Sequence, residues 1–159
     1  MSASTAESPT GATRAGGSGL FIGSWRIGTH HAGAPGLVIH CTFDAASGSV
    51  HGLGRIVRGA TEPPLDRSVR LDGDYTYLTV LPEASHIMLT LTGYPVLHWP
   101  AHGGTGPAAP AVLNLRLMLG ADWQSGTATF QYCTADEQWH TIESAPGTVI
   151  TDAEHAGTP

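Results

Sequence analysis

The residues of this chain with the widest chemical range are its nine histidines, two cysteines and thirteen carboxylates. The closest spaced non-adjacent histidines are His98 and His102, separated by Trp99, Pro100 and Ala101. Four residues apart, two ligands would share one face of a helix, but Pro100 and the glycines after His102 oppose a helix there. No metal site is expected. His30 and His31 are adjacent and would point apart in an extended chain, so both are read as loop residues. Cys41 and Cys133 are too few for a disulfide scaffold and lack C-x-x-C spacing. Strand alternation puts Cys41 with Leu37, Ile39 and Phe43, and Cys133 with Thr127, Thr129 and Gln131, so the two thiols face different surroundings. There is no G-x-S-x-G elbow and no phosphate or dinucleotide fingerprint. Gly103-Gly104-Thr105-Gly106 lacks the preceding strand and following helix that would make it a phosphate cradle. No cofactor is expected.

Carboxylates beside aromatics are the better chemical candidates. Asp66, Asp72 and Asp74 flank Tyr75 and Tyr77, and an aspartate buried at the rim of a β-barrel could act as acid or base. The plainer explanation is stronger, because Asp is a favoured turn residue and Tyr a favoured strand residue. Asp74, Tyr75 and His102 stand as the catalytic candidates. Tyr75, Tyr77, His98, Trp99 and His102 stand as candidate ligand contacts. Arg26, Arg55, Arg70 and Arg116 fall within strands, where they could face an anionic ligand inside a barrel or stripe its exterior.

Short apolar runs separated by turn residues must position these groups, and no helical stripe of useful length occurs. Strands are expected at Leu20 to Ile27, Leu37 to Asp44, Ser49 to Val57, from about Val69 through Tyr75 to Leu81, Ile87 to Thr92, Leu113 to Leu119, Thr127 to Cys133 and Trp139 to Ser144. Val149 to Thr151 could add a short last one. Leu37, Ile39, Cys41 and Phe43 alternate strictly with Val38, His40, Thr42 and Asp44, as a half-buried strand requires. Gly52 and Gly54 mark a bulge or tight bend, and Asp72-Gly73-Asp74 reads as a bulge in preference to a turn. Pro63 and Pro64 make a connection, and Gly93 to Ala111 is the longest irregular stretch, of the length at which loops are functional or mobile. Eight or nine antiparallel strands joined by hairpins give an all-β domain, with an up-and-down β-barrel favoured over a two-sheet sandwich. Residues 1–18 and 152–159 read as disordered tails around a single domain at 19–151.

Composition narrows the function classes. At 159 residues and 41% apolar content the chain has room for one globular core. Charged residues reach only 13%, the net charge is −6, and the basic residues are all arginine. Nothing offers the basic stripe that binds a phosphate backbone, so nucleic-acid binding is not expected. With no apolar leader and no run of membrane-spanning length, a soluble cytoplasmic protein without membrane contact is expected. The outer strand face would carry Thr42, Thr90, Thr92, Thr127 and Thr129 with almost no charge and no lysine to blunt it, which points to closure or to cover by another copy.

The central segments resemble a known family. Val50-His51-Gly52-Leu53-Gly54-Arg55-Ile56, Pro63-Pro64-Leu65-Asp66 and Gly73-Asp74-Tyr75-Thr76-Tyr77 are similar to an uncharacterised bacterial family catalogued as domain of unknown function 1842. Ser85-His86-Ile87, Thr92-Gly93-Tyr94-Pro95 and Trp99-Pro100-Ala101-His102 extend the likeness, over roughly Leu20 to His140. The resemblance implies a bacterial origin and one intact domain, and it carries no activity. Three functions remain in view. The first is a binding module taking a small, partly apolar ligand in the barrel cavity or at its mouth. The second is an isomerase or cyclase shaping a hydrophobic substrate. The third is a homo-oligomeric assembly protein, and homo-oligomerisation is also compatible with the other two.

Overall fold

The computed structural model describes residues 13–14, 19–29, 31–59, 65–80, 84–96 and 109–151, with residues 13–14 and 80 known by backbone alone. Nine strands follow in chain order: β1 Thr13–Arg14, β2 Leu20–Ile27, β3 Gly36–Asp44, β4 Ser49–Arg58, β5 Leu65–Val80, β6 Ala84–Pro95, β7 Leu113–Gly120, β8 Ser125–Cys133 and β9 Trp139–Val149. Each pairs antiparallel with the next, and β9 returns to β2 through Trp25↔Val149, Arg26↔Thr148 and Ile27↔Gly147. The sheet therefore closes into an eight-stranded up-and-down barrel, β2 to β9. On the same edge of β2, nearer its start, β1 pairs through Thr13↔Ile22 and Arg14↔Phe21. Thus β1 and β9 divide that edge, and two residues from the segment read as an N-terminal tail belong to the sheet.

Alternation explains which side chains go inside. Leu37, Ile39, Cys41 and Phe43 are buried, as are Leu113, Leu115, Leu117 and Leu119, while Thr42, Thr90, Thr127 and Thr129 face outward. Ile39, Leu71, Leu89, Leu117 and Phe130 all lie at 0% exposure. Side chains around a void able to admit even one water would show accessible surface, so this middle layer is solid. Both cysteines are free, Cys41 within the core and Cys133 partly buried against it, and burial pushes the Cys41 thiol up to about 12.

Gly52 and Gly54 take the second of the two forms expected there, and Gly73, expected in a bulge, does not form one. Pairing runs without a slip along β3–β4, and along β5 through Asp72, Gly73 and Asp74. These positions are tight bends in regular strands, because a Cβ on Gly52 would fall on the His40 carbonyl and one on Gly73 on the Thr90 carbonyl. Among the described residues the one shift of register lies between β8 and β9, where Ala128 pairs with Ala145 but Phe130 with Ile142. Two β9 residues, Glu143 and Ser144, then oppose Thr129, and Ser144 takes a φ of 55°. The first residues of the stretch expected to be irregular belong to β6, since Gly93, Tyr94 and Pro95 pair with Leu71, Arg70 and Val69, and residues 97–108 of it lie outside the described residues. Val149 is the end of β9 and forms no separate strand with Thr151.

Candidate functional site

One end of the barrel is closed by an aromatic cluster built from four elements. Phe21 on β2 and Phe43 on β3 stack in parallel, with ring centroids 4.8 Å apart. Tyr75 and Tyr77 follow on the inward side of β5, where Tyr75 N–H donates to the Gly48 carbonyl of the β3–β4 turn at 3.0 Å. Trp123 comes from the β7–β8 turn and drops its ring among them, with edge contacts to Phe21 at 5.3 Å, Phe43 at 5.4 Å, Tyr75 at 5.5 Å and Tyr77 at 6.2 Å. Such edge-to-face pairs set the positive rim of one ring against the negative face of another.

The local sequence explains the position of Trp123. Asp122 Oδ1 accepts from the Gln124 N–H at 3.1 Å, a side-chain turn closure typical of aspartate, and Trp123 N–H donates to the Gly120 carbonyl at 3.0 Å. This tight reversal puts Trp123 at a φ of 63°, a left-handed conformation costing a bulky residue roughly 1–2 kcal/mol. Two features offset that cost. The ring is fully buried, and the Trp123 carbonyl accepts from Trp25 Nε1 at 2.8 Å inside the core.

The indole N–H of Trp123 is buried without a hydrogen-bond partner. It lies near enough to the Tyr77 hydroxyl to favour that group's ionised form, while burial acts more strongly and raises the Tyr77 pKa. No hydrogen bond forms between the two. An unpaired buried donor costs roughly 1–3 kcal/mol. Tyr77 is 51% exposed, so this donor sits just beneath the surface of the barrel mouth.

The sequence-derived candidates separate. Tyr75 and Tyr77 come together at this mouth. Asp74 does not join them: it alternates with Tyr75 and projects outward, on the other side of the barrel wall. Asp66 and Asp72 also face outward, Asp66 gripping Arg55 at 2.7 and 2.5 Å and Asp72 accepting from His51 at 2.7 Å and Arg70 at 3.1 Å. His98, Trp99, His102 and His30 lie outside the described residues. The chain leading to the first three leaves β6 at Pro95, which pairs with Val69, six residues along β5 from Tyr75. That end carries a groove of about 410 Å³ between Arg67, Pro95, Pro110, Val112 and Trp139, where Arg67 Nη1 donates to the Cys133 carbonyl at 3.1 Å. Among the described residues no three His, Cys, Asp or Glu side chains gather in a metal-binding group. No helix among them is long and apolar enough to cross a membrane.

Sequence reading misses Trp123 because it falls between the strands expected at Leu113 to Leu119 and Thr127 to Cys133, where a short hairpin turn is all that the pattern requires. The available signal was the tryptophan itself, a large apolar residue at a position turns normally leave polar.

The fold and its mouth define a closed eight-stranded antiparallel barrel with a packed interior and an aromatic end. The chain belongs to the family described as Domain of unknown function (DUF1842), whose model matches residues 18–139. That stretch contains all five rings of the cluster, whereas β9, which closes the barrel, lies almost wholly beyond it. No curated protein is a significant match to the chain.

Proposed function

We propose that the barrel is a small-molecule-binding module that takes a planar, partly apolar ligand at the Tyr75, Tyr77 and Trp123 mouth. The packed middle layer leaves the ligand no place deeper in the barrel. The observation that carries the reading is the unpartnered indole N–H of Trp123 beneath a half-exposed tyrosine. A ligand bearing a carbonyl or ether oxygen would satisfy that donor, with Tyr75 and Tyr77 rings against its flat face. Displacing Tyr77 from over the indole opens the way, and the new hydrogen bond offsets the exposure of that ring.

Indole N–H resonances of the nitrogen-15-labelled protein, titrated with a panel of aromatic ketones, test this. The Trp123 signal is expected to shift with a binder, while that of Trp25, already bonded to a carbonyl, moves little. Trp123→Phe keeps a ring and deletes the donor, and should weaken such a binder roughly tenfold, about 1.4 kcal/mol. A panel that leaves the Trp123 resonance unmoved, or a binder unaffected by Trp123→Phe and Tyr77→Ala, would overturn the reading. For an isomerase or cyclase needing one acid or base, Asp74 and Tyr75 occupy opposite sides of the wall and would not reach the same substrate.

A further inference from the structure

The outer wall of the barrel is unevenly charged. Over β4 and β5 the outward charged groups other than Asp74 satisfy one another, Arg55 with Asp66, and Asp72 with both His51 and Arg70. Across β6, β7 and β8 the outward residues are mostly uncharged, and a shallow depression of about 400 Å³ lies between Thr90, Thr92, Asn114, Arg116, Thr129 and Gln131. One register row crosses from the first region to the second: Asp74 opposite Thr90, Thr90 opposite Arg116, Arg116 opposite Thr129. Asp74 and Arg116 are both exposed, and neither makes a hydrogen bond or ion pair among the described residues. Their backbones stand two strand spacings apart, about 10 Å, with Thr90 midway.

A row of this form is complementary to itself. A two-fold axis lying along β6 at Thr90, between two facing copies, places Asp74 of each protomer over the partner's Arg116. The rows on either side fit the same operation. Asp72 meets the partner's Asn114, Thr76 meets the partner's Met118, and Met88, Thr90 and Thr92 meet their own counterparts. No like charges come together. Any edge-to-edge association is limited by closure of the barrel, whereas two sheet faces can stack at about 10 Å. We propose that the chain forms a two-fold homodimer through the outer face of β5, β6 and β7, with Asp74 of each protomer paired to Arg116 of the other. An isologous contact of this kind holds two copies of each ion pair, so one substitution acts twice.

Sedimentation equilibrium of the full chain is expected to give twice the 16.5 kDa protomer mass. Asp74→Arg should set two arginines against each other in each half of the interface, and Arg116→Asp two aspartates. Each variant alone should dimerise at least about tenfold more weakly. Mixed in equal amounts, the two variants restore both ion pairs and should form a heterodimer that neither makes with itself. Near-ultraviolet circular dichroism checks that each variant keeps the native core, which these exposed side chains do not enter. A wild type that stays monomeric up to about 100 µM, single variants that dimerise as well as the wild type, or a mixture that stays monomeric would each overturn the proposal.

Discussion

At the scale of single residues, Trp25 and Trp123 hold the aromatic end together through one buried hydrogen bond and several ring contacts. Trp25→Phe keeps most of the apolar volume but strands the Trp123 carbonyl. Urea denaturation should show a loss of roughly 3 kcal/mol, well above the cost of the volume change alone. Gly73→Ala makes a sharper test of the barrel's curvature, since the new methyl group falls on the Thr90 carbonyl and backbone must move. It should cost about 3 kcal/mol in the same assay. Gly33→Ala meets no neighbour, but its φ of 84° should still cost about 1 kcal/mol. If Gly73→Ala were the milder of the two, the tight bend at Gly73 would be wrong.

At the scale of elements, the acid response belongs to the turns and the outer faces of the strands. The Ala46 N–H holds the Asp44 carboxyl below its ordinary value of 3.8, Arg55 does so for Asp66, His51 for Asp72 and Thr134 for Asp136. A carboxylate whose pKa is depressed by folding contributes stability above its unfolded value and loses it as the pH falls through the folded one. The urea midpoint should therefore stay level as pH is lowered from 7 to about 4, then decline. All four groups are solvated, so the decline should be shallow. A midpoint that rises below pH 4 would contradict these partnerships. The strand edge of β2 offers a separate test, because β1 and β9 share it. Deleting residues 1–18 should speed hydrogen exchange of the β2 amides around Phe21 and Ile22 that face β1, leaving those near Trp25 and Ile27 protected by β9. Unchanged exchange around Phe21 would mean that β1 adds nothing to the wall.

At the scale of the whole molecule, the sequence by itself determined the all-β class, most strand positions and the inward set of side chains. Alternation is a local property: Leu113, Leu115, Leu117 and Leu119 have one side of the chain in common whatever the strand pairs with. Hairpin order was legible for the same reason, since short turns leave antiparallel neighbours little choice. Closure was only favoured, because it depends on β9 meeting β2 across more than a hundred residues of chain, and no local pattern encodes that pairing. A bulge was expected at Gly73, where pairing is regular, and none at Glu143 and Ser144, where one forms, since a glycine signals freedom without saying how the strand uses it. Half of the mouth was legible in Tyr75 and Tyr77. Trp123 was not, because its ring reaches them only when β7 and β8 curve round to the β2–β3 side of the barrel. Likewise the row from Asp74 to Arg116 joins three strands whose register is fixed by pairing of the folded sheet, so tertiary structure alone decided that a carboxylate set across the wall from Tyr75 by local alternation would stand level with an arginine.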